Sequence, residues 1–236
     1  MRSEYRLWSA WPYQEEQSPP VGVPQAGFWP MFFIKRDSEN RFFDPFGREI
    51  QWQIKPPLTI DWNAELALVE RTVNSVTPQQ IQSASYWATG EIGERFSTML
   101  YEYAAKYPMG SPNCARMQGF FHATLNDVFV VCWYLKYMWD VARPNQYGRH
   151  IPKIIDTPRF PAYPSAHASL AGAADILMTY FFPEEEANIK ATTEASAQSR
   201  LYAGVHFDAD NKEGLRLGRQ IGKIAVEILQ VQNVKQ

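Results

Sequence analysis

From Asp61 onward apolar residues recur every three or four positions, a period that predicts helices. Leu66, Val69 and Val73 fall on one face, and Ile92, Phe96, Met99, Leu100 and Tyr103 make another stripe. Met117, Phe121, Leu125, Val128, Cys132 and Leu135 follow one side of a long segment from Pro112 to about Val141, which carries Lys136 near its C-terminal end. Thr77-Pro78 and Ser111-Pro112 each read as an N-cap followed by proline at the first helical position. Residues 145–163 form a loop broken by Pro152, Pro158 and Pro161. Ser165 is then placed to cap a helix that runs to Phe182 and stops at Pro183. A helix over 184–204 and a last one from about Asn211 to Val231, capped by Asp210, complete the pattern. Gly214, Gly218 and Gly222 share one face of that last helix. Each glycine costs roughly 1 kcal/mol in a helix interior, so a neighbouring backbone is expected to approach that face closely. The fold class read from these periods is all-α, a single-domain bundle of about six helices over residues 61–236.

Residues 1–60 follow a different rule. Pro12, Pro19, Pro20, Pro24, Pro30, Pro45, Pro56 and Pro57 exclude long helices. Trp8, Trp11, Phe28, Trp29, Phe32 and Phe33 are too many aromatics for a free tail. The expectation is an extended aromatic arm packed on the bundle, with a short hairpin near Phe42 to Trp52. Such an arm wraps a partner subunit as easily as its own body, so a homo-oligomer stays open.

Composition narrows the class. The 236 residues are 45% hydrophobic, enough for a sizeable core, and the net charge of −2 supplies no basic field for nucleic acid. Of the two cysteines, Cys132 lies in the apolar run from Val128 to Leu135 and reads as a buried free thiol; neither it nor Cys114 has metal-ligand spacing. The first residues show no apolar h-region. No run reaches the roughly 18 apolar residues that span a bilayer. A cytoplasmic enzyme acting on small molecules is expected.

Three motifs change the picture. Lys136 is followed after six residues by Arg143-Pro144; Pro164-Ser165-Ala166-His167 comes next; then Ser199-Arg200, His206 and Asp210. Lys136, Arg143 and Arg200 supply three cations, and arginine pairs oxyanion oxygens bidentately. Ser165 adds a hydroxyl, and the first N–H groups of its helix, including that of Ala166, favour an anion. Asp210 lies four residues after His206, where it can fix the imidazole tautomer and leave the other nitrogen free to attack phosphorus or coordinate vanadium. His167, in the first helical turn, can serve as general acid or base. His122 reads as a structural histidine on the long helix, and His150, after Arg149, as a solvated one.

These residues resemble the vanadium-dependent haloperoxidases and their relatives, the type-2 phosphatidic acid phosphatases and bacterial non-specific acid phosphatases. Gln25-Ala26-Gly27-Phe28-Trp29, Tyr86-Trp87-Ala88-Thr89-Gly90 and Thr157-Pro158-Arg159-Phe160-Pro161-Ala162-Tyr163 are similar to bacterial members of the haloperoxidase branch. The resemblance implies a helical bundle in which Lys136, Arg143, Arg200, Ser165 and the Ala166 N–H hold the oxygens of vanadate or phosphate. His206 would be the vanadium ligand, or the nucleophile of a phosphatase; His167 would bond the apical oxygen, Lys136 would polarise bound peroxide, and Phe160 would line a halide pocket. The implied activities are halide oxidation by hydrogen peroxide or, alternatively, phosphomonoester hydrolysis through a phosphohistidine. Ala166 stands where the family most often has glycine, and would be strained there if a positive φ were required. Asp127 resembles a family acid that pairs with a pocket arginine. It precedes Lys136 by nine residues, about 13 Å along an ideal helix, so a kink would be needed for both to reach one site.

Overall fold

The apolar stripes close around one another as seven α-helices among the described residues of the computed structural model, which describes residues 5–148 and 150–234. Residues 1–4 of the arm, Arg149 in the loop before His150, and residues 235–236 of the bundle lie outside that description. Helix α1 spans Trp62–Val73, and the Asp61 carboxylate accepts from the N–H groups of Asn63 and Ala64. Helix α2 spans Pro78–Ala88 behind a reciprocal capping box of Thr77 and Gln80. Helix α3 covers Ile92–Lys106 and α4 covers Ser111–Trp139. The cap of α4 is Gly110, not Ser111, which is already the first helical residue. Asp140, with φ 52°, ends α4 in the left-handed region two residues before the expected limit. Helix α5 spans Ala166–Phe181 and Ser165 caps it, accepting from Ala168 N at 3.3 Å. Helix α6 covers Glu186–Tyr202 after a 3-10 turn at Pro183–Glu185.

Helix α7 spans Asp208–Val231 and starts earlier than the sequence suggested. Phe207 is the capping position, and Asp210 sits in the first turn instead. From there its carboxylate reaches back to accept Phe207 N at 2.9 Å, satisfying a terminal donor that has no partner within the helix.

The α5–α7 seam is the centre of the molecule. Gly214 lies against Ser165 and Ala168, Gly218 against Ser169 and Ala173, and Gly222 against Ala173 and Ile176. Residue numbers rise together on both sides, so the two helices run parallel and their N-termini lie side by side. At Gly218 a Cβ would sit 1.8 Å from the Ser169 carbonyl oxygen, so only glycine permits this approach. Leu217, Ile221, Ala225 and Leu229 of α7 continue into a core shared with α4 and α5.

The arm wraps its own body. Trp8 N donates to Asp140 O at 2.7 Å, and Trp133 Nε1 donates to Val23 O at 2.9 Å. Strand β1 (Lys35–Arg36) pairs antiparallel with β2 (Phe42–Phe43), and Phe43 bridges onward to Glu49. The expected hairpin is therefore the second half of a small meander. Its turns are set by Asp37 and Asp44, each accepting backbone N–H groups two and four residues on and pairing with the arginine four residues on. Both cysteines are free, with Cys132 buried. No helix among the described residues is long and apolar enough to cross a membrane.

Candidate active site

Parallel packing of α5 and α7 brings two positive helix ends to one place. Ser165 N donates to Asp210 O at 2.9 Å, which ties the two N-termini together. His206 lies two residues before α7, next to its capping residue Phe207. Its Nδ1 lies 2.8 Å from Asp210 Oδ2 and its Nε2 lies 2.9 Å from Arg143 Nη1. The carboxylate can only accept, so Nδ1 carries the proton; the guanidinium can only donate, so Nε2 presents its lone pair. Burial, then the charges of Arg143, Lys136 and Arg200 and the ring of His167, push the His206 pKa well below its usual value and keep the imidazole neutral.

All three motif cations are buried, and their hydrogen bonds go to carbonyls, a hydroxyl and an imidazole. Lys136 Nζ donates to Pro161 O at 2.6 Å and Ala162 O at 2.8 Å. Arg143 donates from Nη1 to Val205 O at 2.7 Å and from Nε to Phe160 O at 3.0 Å, while its buried Nη2 has no partner among the described residues. Arg200 donates from Nη2 to Ala84 O at 3.0 Å and from Nε to Ser199 Oγ at 3.2 Å. Burial pushes Lys136 down to about 7 and Arg200 down to about 10, and Arg143 is lowered for the same reason. Several positive charges in one dry space repel one another, and an anion bound among them relieves that cost. Burial likewise raises Asp210, against the pull of the Phe207 N–H and the nearby cations.

Ser165 is buried and spends its hydroxyl as the cap of α5. Ala166 is the first residue of α5 and has no positive φ, so the strain considered for alanine does not arise. His167 Nε2 donates to Trp87 O at 2.9 Å. Burial, with Arg200 and Arg95 adding repulsion, pushes His167 down to about 3, so it too is neutral. The half-buried Phe160 ring faces Lys136 Nζ at 5.2 Å and the Arg143 guanidinium at 5.0 Å, and packs on Trp133 at 4.6 Å. Among the described residues no group of three or more His, Cys, Asp or Glu could hold a metal ion. The donor set suits an oxyanion, whose oxygens face cations and N–H groups, better than a bare cation.

Asp127 is not part of this assembly. Helix α4 is continuous through Asp127, and the carboxylate accepts from the backbone N–H groups of Phe32, Phe33 and Ile34 at 2.7, 2.7 and 3.1 Å. It anchors the arm, because its half-turn offset from Lys136 points it to another side of α4. His122 and His150 are exposed and bond Tyr101 and Gln14. Trp87, Trp133 and Arg95 were not singled out by the sequence as site residues. Trp87 stands in the stretch Tyr86 to Gly90 that carries part of the resemblance; Arg95 has no local signal. An open cleft of about 820 Å³, lined by Lys55, Glu194, Asp208, Arg216 and Lys223, lies apart from all the motif cations and both histidines.

A model described as the PAP2 superfamily matches residues 119–233. Residues 119–233 belong to the PAP2 superfamily. That segment holds Lys136 through Asp210, every motif residue, whereas Trp87 and Arg95 lie before it. The fold is shared with solved haloperoxidases and phosphatases. A bacterial vanadium-dependent iodoperoxidase matches at 24% identity and TM-score 0.66, covering 75% of this chain and 53% of its own. A bacterial vanadium-dependent chloroperoxidase matches at 16% identity and TM-score 0.69, covering 90% and 55%. The transmembrane PAP2-type phosphatidylglycerolphosphate phosphatase from Bacillus subtilis matches at 16% identity and TM-score 0.57, covering 73% and 89%. The chain thus spans about half the length of these haloperoxidases. No curated protein matches it in sequence.

Proposed function

We propose that the chain is a haloperoxidase-type enzyme that holds vanadate on His206 and oxidises halide with hydrogen peroxide. The observation that carries the reading is the fixed His206 ring, with Asp210 on Nδ1 and Arg143 on Nε2, among buried cations. Lys136, Arg143 and Arg200, with the N–H groups at the start of α5, would hold the anion's oxygens. His206 Nε2 would ligate the metal, and Asp210 keeps the tautomer that makes this possible. Bound vanadate supplies Lewis-acid activation of peroxide. His167, neutral and oriented by the Trp87 carbonyl, can take or give a proton at the open side of the pocket. Phe160 and Trp133 make an apolar wall that keeps water from Lys136 and Arg143 and offers a halide a poorly hydrated seat. The chloroperoxidase covers more of this chain than the phosphatase does, 90% against 73%.

The neutral His206 also favours a second reading, phosphomonoester hydrolysis. Nε2 attacks phosphorus and forms a P–N bond. The ester oxygen departs with a proton that His167 Nδ1 first takes up from the bound phosphomonoester monoanion, while its Nε2 stays on the Trp87 carbonyl, and water then cleaves the phosphohistidine. Parallel assays separate the two. Protein loaded with orthovanadate and given peroxide and bromide is followed by halogenation of monochlorodimedone; metal-free protein is given p-nitrophenyl phosphate with and without vanadate. Halogenation without ester cleavage is the expected result. Cleavage that vanadate blocks, without halogenation, establishes the second reading instead.

A further inference from the structure

We propose that Arg95, outside the three motifs, is the outer cation of the pocket: it stands beside the open edge at His167 and draws a small tetrahedral oxyanion toward the buried cations. The inference rests on the reading of the site as an oxyanion pocket, whichever reaction it serves.

The opening can be located from burial. Lys136, Arg143, Ser165 and Asp210 are fully buried, and Arg200 and His206 are 5% and 3% exposed. His167 is the one ring of the motif set that keeps an intermediate exposure. Its Nε2 is held by the Trp87 carbonyl, and Trp87 forms the wall of a cleft of about 570 Å³ that also contains Arg95, Tyr86, Thr89 and Glu91. Arg95 is anchored there. Its Nη2 donates to Thr89 O at 2.7 Å, and the guanidinium lies 3.8 Å over the Tyr86 ring. Its Nε is buried and has no partner among the described residues.

The charge of Arg95 reaches inward. It is one of the groups that lower His167, and no carboxylate is among those causes. Glu91, Glu94 and Glu102 line the same cleft but are exposed. Water and salt screen them over about 8 Å. A second cleft nearby, of about 300 Å³, is lined by Ala26, Trp29, Phe129 and Leu170 among others and contains no lysine or arginine. Of these two clefts only the one at Trp87 offers an anion a cation, Arg95, beside the residue that holds His167.

The test is stopped-flow tryptophan fluorescence of the full chain mixed with orthovanadate at several ionic strengths. The wild-type association rate should fall with salt. Arg95→Gln should lower that rate about tenfold and flatten its salt dependence, with little change in dissociation. Arg95→Lys should restore most of the rate, because the charge and not the stacking carries the effect. Glu91→Gln should raise the rate about threefold; the Glu91 side chain makes no capping bond, so this variant keeps the question open to measurement even if Arg95→Gln fails to fold. Wild-type protein that binds vanadate, with rates unchanged in Arg95→Gln or, where that variant is unfolded, in Glu91→Gln, overturns the proposal. So does Arg95→Lys as impaired as Arg95→Gln. Wild-type protein that binds neither vanadate nor phosphate refutes the oxyanion pocket itself, a distinct result.

Discussion

The α5–α7 seam and the N-terminal arm both press a glycine against a helix backbone, yet different forces hold them. In the seam, Gly218 meets the Ser169 carbonyl, and apolar side chains continue the contact along both helices. In the arm, Gly27 would place a Cβ 2.6 Å from Tyr134 N, and polar bonds are added to the burial of Ile34 and Phe42: Asp127 accepts three consecutive N–H groups, and Trp133 and Tyr137 bond the backbone of Val23. A prolyl-rich segment cannot bury a periodic apolar stripe, so it is fastened by side chains that reach its unpaired backbone groups. The seam would carry the proposed chemistry, because parallel helices deliver two N-termini to one point. The arm surrounds it without contributing a motif residue.

Four expected outcomes would break or sharpen that contrast. The largest is His206→Ala, which removes the ligand or nucleophile and should lower turnover by about 10³-fold or more in either assay. Near-wild-type turnover would discard the assignment of His206. Next, Gly218→Ala should destabilise the chain by about 4 kcal/mol, against about 2 kcal/mol for Gly27→Ala, because backbone overpacking in the seam cannot relax. Urea unfolding measures both, and equal losses would erase the distinction between seam and arm. Asp127→Ala should cost about 3 kcal/mol by stranding three N–H donors, while orthovanadate affinity stays within about twofold of wild type. A large loss of affinity would return Asp127 to the pocket.

The smallest effect is on pH dependence. His206 and His167 have folded pKa values below the ordinary 6.5, and His167 falls to about 3. Below 6.5 the unfolded chain binds protons that the folded chain does not, so their contribution is complete above that pH and is lost as pH falls toward the folded values. The slope is at most about 1.4 kcal/mol per pH unit for each ring, and less for the partly exposed His167. Asp210, raised to about 7, binds a proton in the folded chain over the same window and offsets much of this loss, so stability from pH 7.5 to 5 should decline only slightly, and the decline should vanish or reverse in His206→Ala. A profile that His206→Ala leaves unchanged would mean that this ring is charged in the folded protein.

Helix boundaries and the three motifs were readable from the chain because the periodicity, proline placement and capping that define them act within a few residues. Thr77 and Ser165 cap where expected. The glycine face of α7 announced a close neighbour without naming it. Asp210 was misplaced as a cap, since its side chain satisfies Phe207 N from inside the helix. Lys35–Arg36 gave no strand signal, being two charged residues paired to a partner across a turn.

What the sequence alone determined is an all-helical body and a set of residues with the composition of an anion pocket, because local backbone preferences and residue chemistry need no distant contact. Only the tertiary structure decided that α5 and α7 run parallel, that Asp127 serves the arm, and that Trp87, which holds His167, shares a cleft with Arg95. Those facts depend on which distant segments pack together, and no spacing along the chain encodes a contact between residues 80 or more positions apart.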